Sequence, residues 1–223
     1  ALENIRDGKD RGHKIKGLDK PSDLVIYKYD IDSTQEELDT YCRDADFVFN
    51  LAGVNRPKDP EEFMKGNFGF GSKLLETLKK YGNKAPVMLS SSIQASLEGR
   101  YAGSEYGKSK LAGEELFRKY SEETGARVLI YRFPNLFGKW CRPNYNSAVA
   151  TFSNNIANGL PSTVNDRETE LELLYIDDLI EEMILALNGE EHRCSQTLPD
   201  GGVREFCFCP VTFKVTLGQI VDL

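Results

Sequence analysis

The sequence predicts an α/β fold in which a parallel sheet carries helices on both faces. Three observations lead there. β-forming and helical patterns alternate along most of the chain, the order that builds parallel sheets. Residues 46–53 (Asp-Phe-Val-Phe-Asn-Leu-Ala-Gly) form a continuous apolar run ended by Gly, which suits a strand buried on both faces. Residues 86–92 (Pro-Val-Met-Leu-Ser-Ser-Ser) form a second buried run, ended by serines.

Taken in order, residues 1–6 read as the inside of a helix already under way. Residues 22–29 (Ser-Asp-Leu-Val-Ile-Tyr-Lys-Tyr) are rich in β-formers and predict a strand. Ser33 or Thr34 caps a short helix through Asp39, with Glu36 and Glu37 favourably placed in its first turn. After the 46–53 strand a helix covers about 60–80, with Leu74, Leu75 and Leu78 on one side. The 86–92 strand leads to a long helix over 104–124, closed by Gly125. Residues 127–133 are the next strand, stopped at Pro134, which cannot donate to a ladder. Residues 189–210, with Pro199-Asp200-Gly201-Gly202, read as a long loop. Residues 216–222 begin another helix, so both ends read as cut and the chain as a fragment.

Composition narrows the function. The 223 residues, 40% hydrophobic, suffice for one domain with a substantial core. A formal charge of −7 repels phosphate backbones and argues against nucleic acid as a partner. With no apolar run of bilayer length and no signal-peptide pattern, the expectation is a cytoplasmic protein without a membrane partner. Five cysteines at uneven spacings argue against a disulfide framework.

The chemistry collects at strand ends. In an open α/β sheet, ligands bind outside the carboxyl ends of the strands, which is where Ser90-Ser91-Ser92 falls. Tyr106 and Lys110 are four residues apart on a helix, so both can face one cleft. A neighbouring ammonium lowers a tyrosine's pKa, making the phenol a usable general acid for a carbonyl that receives hydride. The Ser92 hydroxyl can hold the same oxygen. Tyr-x-x-x-Lys alone marks an ordinary surface helix pair; the Ser-ended strand just before it gives it weight. Beyond the 127–133 strand, the backbone of Phe133 and Pro134 can bond a carboxamide, and Asn135 can face a second ligand. His192, Cys194, Cys207 and Cys209 resemble metal ligands, but their one-residue spacings are tighter than usual and no metal is expected.

On these residues the chain resembles the extended short-chain dehydrogenase/reductases. Leu51-Ala52-Gly53 is similar to that family's strand end beside the cofactor, Asp30-Ile31 to its adenine contact, and Asn67 with Leu74-Leu75-Glu76 to its Asn…Leu-Leu-Glu helix. Tyr175-Ile176-Asp177-Asp178 is similar to its Tyr-Val-Asp-Asp motif, with Arg167 upstream, where relatives grip a substrate diphosphate. Residues 51–57 (Leu-Ala-Gly-Val-Asn-Arg-Pro), 89–95 and 137–147 narrow the resemblance to the CapF-type capsular polysaccharide synthesis reductases. The resemblance implies a Rossmann-like sheet binding NADP(H) over roughly 1–133, and a small substrate-binding region over 134–223. It implies NADPH-dependent reduction of a UDP-4-keto-6-deoxy-HexNAc on the route to UDP-N-acetyl-L-fucosamine, in a homodimer. Longer members add a C-terminal metal-binding cupin domain, and nothing here resembles it.

The family's Gly-rich diphosphate loop is missing ahead of Ala1, and the stretch from Asp10 to Ala52 is short for a full set of strands. Asp30 can therefore fall at the ribose, a placement that favours NAD, with Lys28 a candidate 2′-phosphate partner. In the implied reaction Tyr106 gives the proton, Lys110 holds the nicotinamide ribose and Ser92 orients the carbonyl. Ser90 completes the cofactor set. Gln94, Asn135, Arg142, Asn144, Asn146, Ser147 and Arg167 are the substrate candidates, arginine being suited to bidentate diphosphate binding. Dehydratases of the family place Asp-Glu directly after the strand-end hydroxyl; here Ile93-Gln94 stands there, and Gln exchanges no proton. A nucleotide-sugar 4-epimerase uses the same Ser-Tyr-Lys set and stays open, as does a non-catalytic nucleotide-binding module.

Overall fold

The computed structural model describes residues 1–10, 12–54, 57, 59, 61–197 and 201–222. In chain order the helices and strands are α1 (Leu2–Arg6), α2 (Gln35–Asp44), β1 (Val48–Asn50), α3 (Glu61–Phe63) and, after a π-helical stretch (Met64–Gly69), α4 (Phe70–Lys80). Then come β2 (Val87–Ser92), α5 (Glu105–Thr124), β3 (Val128–Phe133), β4 (Asn135–Phe137), α6 (Ala148–Ala157), β5 (Glu170–Tyr175) and α7 (Ile176–Leu187). Last are β6 (Arg193–Thr197), β7 (Val203–Cys207), β8 (Phe213–Thr216) and α8 (Leu217–Asp222).

The chain divides into two compact units. The first comprises Ala1–Arg132 and Arg193–Cys207, the second Phe133–His192 and Phe208–Leu223. In the first, one sheet runs β1-β2-β3-β7-β6. β1 pairs parallel with β2, β3 parallel with β7, and β6 antiparallel with β7. Its core joins Leu38 and Cys42 of α2, Leu74, Leu75 and Leu78 of α4, and Phe117 and Tyr120 of α5 to Val87, Leu89, Ile130 and Phe206 of the sheet. In the second unit a small sheet runs β4-β5-β8, with β4 parallel and β8 antiparallel to β5.

Local chemistry sets the helix ends. Thr34 Oγ1 accepts from Glu37 N (3.2 Å) while Glu37 Oε2 accepts from Thr34 N (2.7 Å), a reciprocal cap that starts α2. Ser104 Oγ accepts from Gly107 N at 2.9 Å and starts α5, and Gly125 ends it with a left-handed φ of 72°.

Four expectations need correction. The short helix runs past Asp39 to Asp44, because Cys42 still reaches the core. Residues 24–30 join no ladder; Tyr27 instead stacks on Tyr41 (4.6 Å between ring centroids) and Tyr29 on Phe70 (5.5 Å), while Val25 stays exposed. The apolar run 46–53 gives only Val48–Asn50, an edge strand in which Val48 and Phe49 are half-buried, and Leu51 is exposed. The loop 189–210 contains the β6–β7 hairpin. β6 is exposed along its whole length and so carried no apolar signal, whereas Phe206 anchors β7 in the core. Leu198–Asp200, with Pro199 and Asp200 of the predicted loop, lie outside the described residues.

Candidate active site

The carboxyl end of β2 and the first turns of α5 come together in the first unit. Gly107 allows this. A Cβ there would meet Gln94 O at 2.3 Å and Leu97 Cδ2 at 3.0 Å, so only glycine lets α5 press on the 3₁₀ turn after Ser92. Gln94 Oε1 accepts from Ser104 Oγ at 2.8 Å, which ties that turn to the helix cap. Gln94 therefore holds structure together in the first unit.

Lys110 is buried, 7% exposed. Its Nζ donates to Ser90 O at 3.0 Å and lies 5.6 Å from the Tyr106 ring centroid. Burial pulls the ammonium down to about 8, against the opposing pull of Glu114. The half-buried Tyr106 phenol is raised by burial, and interaction with the Ser92 hydroxyl works against that rise. The expectation that Lys110 lowers the phenol's pKa is thus corrected. The ammonium bonds the Ser90 carbonyl and faces the ring, so desolvation wins.

Asn67 sits in the π-helical stretch and is buried. Its Oδ1 accepts from Val54 N (2.9 Å), and its Nδ2 donates to Ser109 Oγ (2.9 Å) and Val54 O (3.3 Å). Ser109 Oγ in turn donates to Tyr106 O at 2.8 Å. The segment after β1 is thereby fastened to α5, with Leu51, Ala52 and Gly53 exposed and Gly53 beside Lys110. A Cβ on Gly53 would meet Asn67 Oδ1 at 2.8 Å and Lys110 Nζ at 3.0 Å. Asn55 and Arg56, part of the 51–57 motif, lie outside the described residues.

These features fit a nicotinamide cofactor. An ammonium has three N–H donors, and Lys110 meets one hydrogen-bond acceptor among the described residues, which leaves donors for a ribose diol. Asn50 Oδ1, buried at the end of β1, has no hydrogen-bond partner there. Asp30 and Ile31 are exposed, and Asp30 Oδ1 accepts from Ile31 N at 2.8 Å. Lys28 pairs with Glu3 at 2.6 Å. Phe133 is buried and Pro134 half-buried at the end of β3.

The remaining substrate candidates belong to the second unit. Asn135 Nδ2 donates to Glu172 O at 3.1 Å, fastening β4 to β5. Arg142, Asn144 and Asn146 are exposed on the segment before α6. That segment is held by Asn144 N donating to Thr151 Oγ1 (2.9 Å) and by the buried Ser147, whose Oγ caps α6. Arg167 pairs with Asp222 of α8 and also donates to Gly218 O. In the Tyr175–Asp178 motif, Asp177 pairs with Lys139 at 2.7 Å. His192 Nδ1 lies 2.6 Å from Glu182 Oε2, and among the described residues no group of three or more His, Cys, Asp or Glu could hold a metal ion.

Glu114 and Arg132 were passed over in the sequence, and Ser91 was read only as part of the serine-ended strand. Glu114 is fully buried and takes hydrogen bonds from Ser91 Oγ (2.6 Å), Arg132 Nε (2.9 Å) and Arg132 Nη2 (2.8 Å). The signal was available: Glu114 follows Lys110 by the same four residues that separate Lys110 from Tyr106.

Residues 6–196 match the model of the NAD dependent epimerase/dehydratase family. The chain is 43% identical, over 167 residues, to a UDP-2-acetamido-2,6-beta-L-arabino-hexul-4-ose reductase of Pseudomonas aeruginosa, covering 75% of this chain and 44% of that one. It is 28% identical over 148 residues to UDP-glucuronate 4-epimerase 1 of Arabidopsis thaliana, covering 59% and 34%. Among solved structures, the capsular polysaccharide assembling protein CapF from Staphylococcus aureus superposes with a TM-score of 0.68 at 46% identity, covering 86% and 48%. The chain thus spans less than half the length of these relatives.

Proposed function

The chain belongs to the NAD dependent epimerase/dehydratase family, and we propose that it reduces the 4-keto group of a UDP-linked 6-deoxy-HexNAc at the expense of NADPH. The observation that carries this reading is the convergence of Ser92, Tyr106 and Lys110 at one strand end. A bound nicotinamide supplies hydride to the carbonyl carbon. Tyr106, kept protonated by its burial, gives its proton to the carbonyl oxygen. Ser92 donates a hydrogen bond to that oxygen as charge develops on it. Lys110, as ammonium, steadies the phenolate left behind and holds the ribose diol. Leu51, Ala52, Gly53 and the backbone of Ser90 would lie beside the cofactor, with Phe133 and Pro134 offered to its carboxamide, and Asp30 and Ile31 would serve its adenosine end. Asn67 keeps Val54 and α5 in place beneath them.

Arg142, Asn144, Asn146, Ser147 and Arg167 are assigned to the UDP-sugar. For Arg167 to grip a diphosphate, its pair with Asp222 must open. A homodimer in the cytoplasm, acting in capsular polysaccharide synthesis, completes the proposal. Likeness to a keto-sugar reductase at 43% identity, against 28% for a 4-epimerase, favours net reduction over epimerisation. Gln94, bonded to Ser104, offers no acid or base for dehydration.

The test follows NADPH absorbance with a UDP-4-keto-6-deoxy-HexNAc and the full-length protein. Stoichiometric oxidation that Tyr106→Phe abolishes is expected. Conversion of the sugar without net oxidation would replace the reading by epimerisation.

A further inference from the structure

Tyr106, Lys110 and Glu114 stand four residues apart along one face of α5. The reaction above uses the first two. Glu114 is 0% exposed, and buried carboxylates are rare unless paired. Its partners are Ser91 on β2 and Arg132 on β3, which meets both carboxylate oxygens. The Arg132 guanidinium lies 4.2 Å from the Phe206 ring centroid, and Arg118 lies 4.8 Å from the same ring. Ser91 falls between Ser90, whose carbonyl holds Lys110, and Ser92, which faces Tyr106. One carboxylate therefore fixes the residue between the two that hold the catalytic pair.

We propose that Glu114 is a positioning residue that aligns the Ser90–Ser92 strand end under α5 and places, one helical turn beyond Lys110, the negative charge that balances its ammonium. The groups around Lys110 bear this out. Its own helix presents the Tyr106 phenol on one side and Glu114 on the other. β2 presents the Ser90 carbonyl, and the residues after β1 and in the π-helical stretch present neutral Gly53 and Asn67. β3 presents Arg132, whose charge Glu114 neutralises, and Arg118 of α5 also senses Glu114. Among the described residues Glu114 is the carboxylate that acts on Lys110, and it opposes the effect of burial. Removing its charge leaves desolvation unopposed in acting against the ammonium.

The role in catalysis rests on the reductase reading, but the charge state of Lys110 can be read without turnover. Full-chain protein carrying [13Cε]lysine is titrated by NMR, with the Lys110 resonance identified by its loss in Lys110→Met. In Glu114→Gln the Lys110 midpoint is expected to move down by on the order of one pH unit. In Ser91→Ala, which keeps the charge, it is expected to stay, and Glu114→Asp is expected to restore most of the shift. If Glu114→Gln strands Arg132 and fails to fold, Glu114→Gln/Arg132→Met carries the same expectation with no unpaired charge left inside. An unmoved midpoint in either folded variant overturns the proposal. Where the enzyme turns over, Glu114→Gln lowers kcat without raising KM for the sugar. Absence of turnover in the unaltered protein refutes the reductase reading and leaves the titration to decide on Glu114.

Discussion

Replacing Gly107 by alanine tests whether close approach of α5 to the turn after β2 sets the site. The added methyl would sit 2.3 Å from Gln94 O and 3.0 Å from Gln94 C. Carbon and oxygen atoms prefer about 3.5 Å, so one partner must retreat by roughly 1 Å. The clash falls between the backbone of Gln94, in a turn bonded to Ser104, and the first turn of α5. Tyr106 precedes Gly107 and moves with it, away from Ser92. Overpacking costs about 1–3 kcal/mol, and alanine's better helix propensity returns about 1 kcal/mol. Stability should therefore change little, with Tm lower by no more than about 2–8 °C. Activity should suffer far more, because a displacement of about 1 Å at a reacting group costs on the order of 100-fold. Thermal melts and NADPH oxidation, run side by side, give both numbers. A Gly107→Ala protein with unaltered kcat and unaltered Tm would refute the argument.

Two further outcomes follow from groups already described. Because burial holds Lys110 at about 8, kcat/KM should fall as pH rises through about 8; a profile flat through that region would remove Lys110 from the reaction. The same group acts with opposite sign on stability. Its folded pKa lies below the 10.5 of an exposed lysine, so the unfolded chain binds more protons between about 8 and 10.5. The penalty for burying the ammonium is therefore present below about 8 and relieved above it, and urea midpoints of the unaltered protein should gain on Lys110→Met over that range. Thr34→Ala breaks the reciprocal cap with Glu37 and should cost about 1 kcal/mol in denaturant melts while leaving kcat unchanged.

Much of this was legible in the sequence where local rules agree with tertiary ones. Thr34 with Glu37 announced α2, Ser104 and Gly125 bracket α5, and the apolar run before Ser92 became a central strand. The failures have physical causes. Residues 22–29 have strand composition, but a strand needs a hydrogen-bonding neighbour, and here the tyrosines pack on helices instead. β6 and β7 were hidden because a fully exposed edge strand has no apolar pattern and only the end of β7, Phe206 and Cys207, is buried. At the site, i and i+4 spacing put Tyr106 and Lys110 on one face, but spacing does not say what an ammonium will bond. The Ser90 carbonyl took it, and burial then set the direction of both pKa changes. Glu114 went unread because a lone helical glutamate ordinarily lies in solvent.

β7 has a consequence for how the protein is made. It pairs with β3 and brings Phe206 into the core of the first unit, yet it follows β3 only after residues 133–192, which belong to the second unit. At about 5–20 residues per second on the ribosome, β3 waits several seconds or more for its neighbour. Throughout that interval its edge is open and the place of Phe206 is empty, the condition in which strands recruit other chains. The first unit thus cannot finish folding before β7 has emerged, and nascent chains stopped short of Val203 are the ones a chaperone would have to shelter.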